Sequence, residues 1–205
     1  MYVAGNAAAT AGNVVANAGL LRLGIFADLM DATVFVFLAL ALYILLKHVH
    51  QGVARAMVVT VVLAAGITCI SALFEFEGLR VATGAVNLAA FGTEGSNAIV
   101  LLLLDAQHYG LLIGQIFFGL WLAPLGYLAY RSGWFPKALG VVLIAACASY
   151  LVDVIAAFLV PDLGKMIHGF LTILPAIAEP GMVLYLLIVG VKTSKAKGER
   201  ILAAA

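Results

Sequence analysis

The chain has 205 residues, 65% of them hydrophobic and 10% charged, with a mean hydropathy of +1.15, where an ordinary soluble domain carries roughly 25% charged residues. A soluble globule cannot hide that much apolar surface, and a formal net charge of +1, with the cations in short clusters, provides no field to attract nucleic acid. Composition therefore excludes a soluble domain and a nucleic-acid partner, and predicts an all-α integral membrane protein whose partner is the lipid bilayer.

The first residues, MYVAGNAAATAGN, lack the basic and apolar regions of a secretory signal, so no cleaved leader is expected. Residues 1 to about 19 are small and mixed, consistent with a short interfacial helix in which Thr10, Asn13 and Asn17 are turn or cap candidates. The first span is predicted over 23–46, with Asp28 and Asp31 early in it and Lys47, His48 and His50 at its end. After the basic connection KHVHQGVAR, a second span covers 56–75 and closes on Glu75 and Glu77. Residues 78–107 are richer in Gly and turn formers and read as a membrane-associated outer segment, with Thr93 a cap candidate and Glu94 in the first turn. A helix from there to Arg131 is roughly 57 Å long, nearly twice a ~30 Å hydrocarbon core. It must project, tilt or break near Tyr109–Gly110.

Its membrane part, 108–131, holds only Gln115 as a moderately polar residue between His108 and Arg131. Gly110, Gly114, Gly119 and Gly126 give it small-residue surfaces for close neighbours, which marks it as a central helix. A turn over 131–137 leads, through Pro136 at a natural first helical position, to a fourth span, 138–160, stopped by Pro161–Asp162. The fifth, 167–191, is interrupted by Pro175 and Pro180–Gly181, and a basic tail follows. Five spans put the two termini on opposite sides. Lys47, Arg55, Arg131, Lys137, Lys192, Lys195, Lys197 and Arg200 fall on one side, while Arg22, Arg80 and Lys165 share the other with most of the loop acids. Basic residues favour the cytoplasm, so the N-terminus is expected outside and the C-terminus inside a cell (inner) membrane. No internal repeat appears, and the chain reads as a single transmembrane helical domain over 1–205.

Counting back about 20 residues from each cytoplasmic basic residue places the intramembrane acids in one leaflet. Asp28 and Asp31 lie roughly 8 to 12 Å outward of the midplane, Asp153 about 7 Å, Glu179 about 3 Å, and His108 near the outer boundary. A charged carboxylate at a helix centre costs on the order of 2.5 to 3.5 kcal/mol, so these groups should face one another. Helical spacing agrees. Tyr150 and Asp153 share a face, as do His168, Thr172, Pro175 and Glu179, and His108 is nearly eclipsed with Gln115. The candidate polar cluster is Asp28, Asp31, Asp105, His108, Gln115, Asp153 and Glu179.

Three readings follow. The groups serve as interhelical hydrogen-bond glue in a non-catalytic scaffold or partner subunit, with a homo-oligomer or a membrane partner protein. They carry protons or ions. Or His108, Asp28 and Asp153 hold a divalent metal for intramembrane hydrolysis. No HExxH, GxSxG or P-loop is present, and the residues imply no particular cofactor. Cys69 and Cys147, both within apolar segments, read as small buried hydrophobes with neither a disulfide nor a metal; His48, His50 and His168 read as inert interfacial residues.

The stretches LLRLGIFADL, LDAQHYGLLIGQIFFGLWLAPLGYLAYRSG and YLVD resemble an uncharacterised family of small prokaryotic multipass membrane proteins, a domain of unknown function. The resemblance covers nearly the whole chain and is most specific in GLWLAPLGYLAYRSG. It implies an integral membrane protein and brings no activity with it. The matching positions include Asp28, Asp105, His108, Tyr109, Gly110, Gln115, Gly119, Pro124, Arg131, Asp153 and Glu179. Members usually carry a further transmembrane helix before the segment resembling AGNAAATAGNV, and Met1 here falls in what would be the loop after it.

Overall fold

The computed structural model describes residues 1–191, which are helical with no strand among them. In chain order the α-helices are α1 (Ala7–Ala16), α2 (Ala18–Leu46), α3 (Gln51–Ala82), α4 (Gly92–Leu120), α5 (Leu122–Ser132), α6 (Lys137–Leu159), α7 (Pro161–Leu171) and α8 (Ile173–Ile188), with a 3-10 turn at Ala89–Phe91. Five segments are long and apolar enough to cross a bilayer: Ala18–Leu46, Gln51–Ala82, Ala89–Ser132, Lys137–Leu159 and Pro161–Ile188. The first three enclose the expected spans 23–46, 56–75 and 108–131, and the last two overlap 138–160 and 167–191 without reaching their C-terminal ends. Lys192, Lys195, Lys197 and Arg200 of the basic tail lie outside the described residues.

Prolines account for the helix junctions. Pro124 has no N–H to donate to the Leu120 carbonyl, and α4 gives way to α5 at Trp121. Pro175 withdraws the same bond from Leu171, and α7 gives way to α8 at Thr172. In both places the ladder resumes at once. Leu125 N–H donates to the Trp121 carbonyl at 3.2 Å and Ala176 N–H to the Thr172 carbonyl at 3.1 Å. The long helix therefore breaks at Trp121, and not at Tyr109–Gly110, because the residue missing a donor is Pro124. Val160, driven into extended conformation ahead of Pro161 (φ −139, ψ 70), ends α6.

The residues form two compact units, Met1–Val34 with Ala65–Gly114, and Phe35–Ala64 with Gln115–Ala205, of which the second is described to Val191. In the first, Ala11, Val14, Leu21, Ile25, Ala72, Leu79, Val100 and Leu104 make the core. Asn6 is the N-cap of α1, accepting from Ala9 N–H at 2.9 Å, and Asn17, one of the residues singled out as a turn or cap candidate, is its C-cap; Thr10 and Asn13 lie inside the helix. Thr10 is fully buried and ties down the leading strap, since its hydroxyl both accepts from Val3 N–H and donates to the Val3 carbonyl at 3.1 Å. Leu79 is drawn into this core, so α3 runs on to Ala82; residues 92–107 already belong to α4. The stretch 78–107 is thus helical at both ends, with left-handed Gly84 and Gly92 (φ 74 and 65) turning the chain between them. α4 starts at Gly92, which places Thr93 inside its first turn.

In the second unit Leu46, Met57, Leu122, Leu125, Leu128 and Leu143 are wholly buried in one core. Trp134 and Phe135 are buried there too, and Tyr185 O–H donates to the Trp134 carbonyl at 3.2 Å. Tyr127 and Tyr130 stay exposed. α6 is the hub, packed on α5, α7 and α8. Its contact with α5 is glycine on glycine: a Cβ on Gly126 would sit 2.6 Å from the Gly140 carbonyl oxygen, and one on Gly140 would sit 2.7 Å from that of Gly126. With no hydrophobic drive between helices in lipid, such close backbone packing supplies much of the association. Gly126→Ala or Gly140→Ala is expected to cost about 1–3 kcal/mol of stability through overpacking. Gly169→Ala, where an added Cβ meets nothing within 4 Å, should be neutral or raise the melting temperature in detergent.

Candidate functional site

The richest polar arrangement lies on α6, α7 and α8. Gly164 lets α7 fold back tightly on α6, since a Cβ there would lie 2.9 Å from the Ala157 nitrogen. This crossing brings His168 Nδ1 to 2.9 and 3.0 Å from the two Asp153 carboxylate oxygens. The pair is lopsided in burial: the Asp153 side chain is 5% exposed and that of His168 56%. Three residues earlier on α6, Tyr150 O–H donates to Glu179 on α8 at 3.0 Å. Glu179, Tyr150, Thr172 and Ala176 line a cleft of about 320 Å³ together with Pro175 and Pro180. Pro180 lies inside α8 and leaves the Ala176 carbonyl without its intrahelical donor, so a freed backbone acceptor lies on a residue of the cleft that also holds a carboxylate, a phenol and a hydroxyl.

Asp153 and Glu179 are therefore in the same unit but not in the same hollow. Asp153 is enclosed by its histidine, and Glu179 opens on the cleft. His168, read from sequence as inert, is the partner of Asp153. The signal for it was present in the shared face of His168, Thr172, Pro175 and Glu179 opposite that of Tyr150 and Asp153. Gln115, in this unit, has its side-chain carbonyl oxygen buried without a hydrogen-bond partner among the described residues.

In the first unit, Tyr2 on the strap donates its O–H to Asp105, and its ring stacks on His108 at 5.3 Å between centroids. His108 is exposed and meets Tyr109 edge-on. The hydrogen bond to the Asp105 carboxylate, then burial, then the Asp105 and Tyr109 charges push the Tyr2 phenol up from 10.0 to about 12. Gly110 lies against buried Ser71, whose hydroxyl a Cβ would approach to 2.5 Å. Asp28 is half-buried and Asp31 exposed. Among the described residues no group of three or more His, Cys, Asp or Glu side chains assembles that could hold a metal, so His108, Asp28 and Asp153 do not make a ligand set.

Five apolar helices of spanning length, carrying paired polar side chains across helix contacts, define an all-helical membrane protein. The chain belongs to the domain-of-unknown-function family DUF4386, whose model matches residues 1–190. It is also 31% identical over 130 residues to an uncharacterized protein of Archaeoglobus fulgidus, a match covering 63% of this chain and 62% of that relative's length. No solved structure matches.

Two predictions follow from these contacts. Removing His168 strands a buried carboxylate, whereas removing the Asp153 charge leaves a histidine that water or headgroups can solvate. His168→Ala should therefore lower stability by about 1–3 kcal/mol, Asp153→Asn by less, and the double variant should recover part of the His168→Ala loss in thermal melts. Tyr2 ionisation should fall late in an ultraviolet titration, well above an ordinary tyrosine. The neutral phenol is the bonded form, so its contribution to stability is complete below 10.0 and disappears as pH rises through about 12, and the Tyr2→Phe difference spectrum should show that midpoint.

Proposed function

We propose that this is a multipass integral protein of the cell membrane, N-terminus outside and C-terminus cytoplasmic, that exchanges protons or small cations at Glu179. Lys47, Arg55, Arg131 and Lys137, at the connections after α2 and between α5 and α6, support the orientation by their shared sign and side. The observation that carries the ion reading is Glu179 itself. It is a carboxylate within a spanning segment, bonded through one oxygen to Tyr150 and lining a cleft beside two helix-breaking prolines. Broken helices with freed carbonyls are the usual way a membrane protein presents oxygen ligands at depth. In so apolar a setting an ionised carboxylate needs a counter-cation, and a protonated one does not. A proton on Glu179 and a cation in the cleft are then alternatives at one place: the proton passes to water as the cation enters beside the carboxylate, which is the elementary step of exchange. Tyr150 holds the carboxylate in position; Thr172 and the Ala176 carbonyl offer further oxygens.

A second reading, a non-catalytic scaffold, draws support from the same contacts. Asp105, Asp153 and Glu179 each have a donor on a separate helix or on the leading strap, which is what hydrogen-bond glue looks like. Reconstituted vesicles distinguish the two. With a pH-sensitive dye inside and an imposed cation gradient, wild type should move protons well above protein-free vesicles. Glu179→Gln should fall to the protein-free level, and Asp153→Asn should retain most of the flux. Wild-type flux at background, or full flux in Glu179→Gln, would sink the ion reading and leave the scaffold. A periplasm-active reporter dead when fused at Gly78 and active at Lys137 would overturn the orientation.

A further inference from the structure

Within the first unit, α2 and α3 leave an apolar groove of about 370 Å³. Arg22, Ile25 and Leu29 line one wall and Cys69, Leu73 and Phe76 the other. Positions 22, 25 and 29, and 69, 73 and 76, fall on single helix faces, so the walls are two parallel stripes about 10 Å long at 1.5 Å per residue. Both belong to segments long and apolar enough to cross a bilayer; Ile25 forms the buried floor, and Leu29, Leu73 and Phe76 are exposed.

The cation at one end decides what fits. Arg22 lies near the start of α2, immediately before its long apolar run, at the boundary of the hydrocarbon. It is exposed and, among the described residues, has neither an ion-pair nor a hydrogen-bond partner. Arg80, the basic residue in the last turn of α3, is already held by both Glu77 carboxylate oxygens at 2.7 and 3.0 Å. The acids Asp28, Asp31 and Glu75 on the same two helices do not line the groove. An apolar slot with an unpaired guanidinium at its polar end complements one kind of molecule: an acyl chain joined to a phosphate. Guanidinium and phosphate form short, paired, charge-assisted hydrogen bonds, and a negatively charged headgroup adds long-range attraction that a zwitterionic one lacks.

We propose that the groove between α2 and α3 is a binding site for an anionic phospholipid, its phosphate on Arg22 and one acyl chain between Leu29 and Leu73. This site is independent of Glu179, which belongs to the other unit. Cys69 gives a local readout, because it is exposed in the groove wall while Cys147 is buried. In mild detergent, the rate of Cys69 alkylation by an apolar maleimide is measured against added dioleoyl phosphatidylglycerol or dioleoyl phosphatidylcholine, with bound adduct located by mass spectrometry. Phosphatidylglycerol should slow the wild type about tenfold at concentrations where phosphatidylcholine does little, and Arg22→Gln should remove most of that difference. Arg22 is exposed and unpaired, so the variant should melt with the wild type. Equal protection by the two lipids, undiminished protection in Arg22→Gln, or no protection by either overturns the proposal. Protection that follows protein concentration instead of lipid also overturns it, and assigns the groove to a second copy of the chain.

Discussion

A helix in hydrocarbon must satisfy its own backbone, because no water is present to take up a carbonyl that has lost its donor. Most of this chain obeys that constraint through uninterrupted ladders in α2, α3, α4 and α6. The exceptions are set by three prolines. Pro124 and Pro175 each interrupt a long apolar helix, and Pro180 removes a donor within α8 without ending it. The polar side chains of the second unit collect near the latter two, so that Thr172, Glu179 and Tyr150 surround the stretch of backbone that is short of donors.

The same constraint explains why three of the acids come with partners. Asp153 is nearly fully buried and receives a histidine; Glu179 is half-buried and receives a phenol; Asp105 receives the phenol of the leading strap. Each partner comes from a different element than the acid, so every pair fixes a helix contact as well as a charge. Glycine makes the contacts close enough for this. Without the bare backbone at Gly164, α7 would stand off α6 and His168 would not reach Asp153.

The two hollows described above differ in kind. The cleft at Glu179 is mainly apolar, carries the Glu179 carboxylate and the Tyr150 phenol, and is built around a defect in the helix ladder. The groove at Arg22 is lined almost wholly by carbon and built from two intact helices, with its single charge at the rim. Each stands on contacts inside its own unit.

Hydrophobic length and the basic clusters determined the five spanning helices from sequence alone, because apolar runs of some 20 residues have few other solutions. Proline positions determined where α6 stops and where α7 meets α8. Of the alternatives for the long helix, projection, tilt or a break near Tyr109–Gly110, the break does not occur at the glycine. The ladder loses a bond only further on, where Pro124 has no N–H to donate and α4 gives way to α5 at Trp121. The polar positions were legible too, since cost singles out any acid in a span. Their pairing was not. Spacing put Asp153 on a face with Tyr150, and His168 on a face with Glu179, but which residue meets which depends on how closely two helices cross and at what height. That was decided by Gly164 against Ala157, a contact between backbones that leaves no trace in hydropathy or charge.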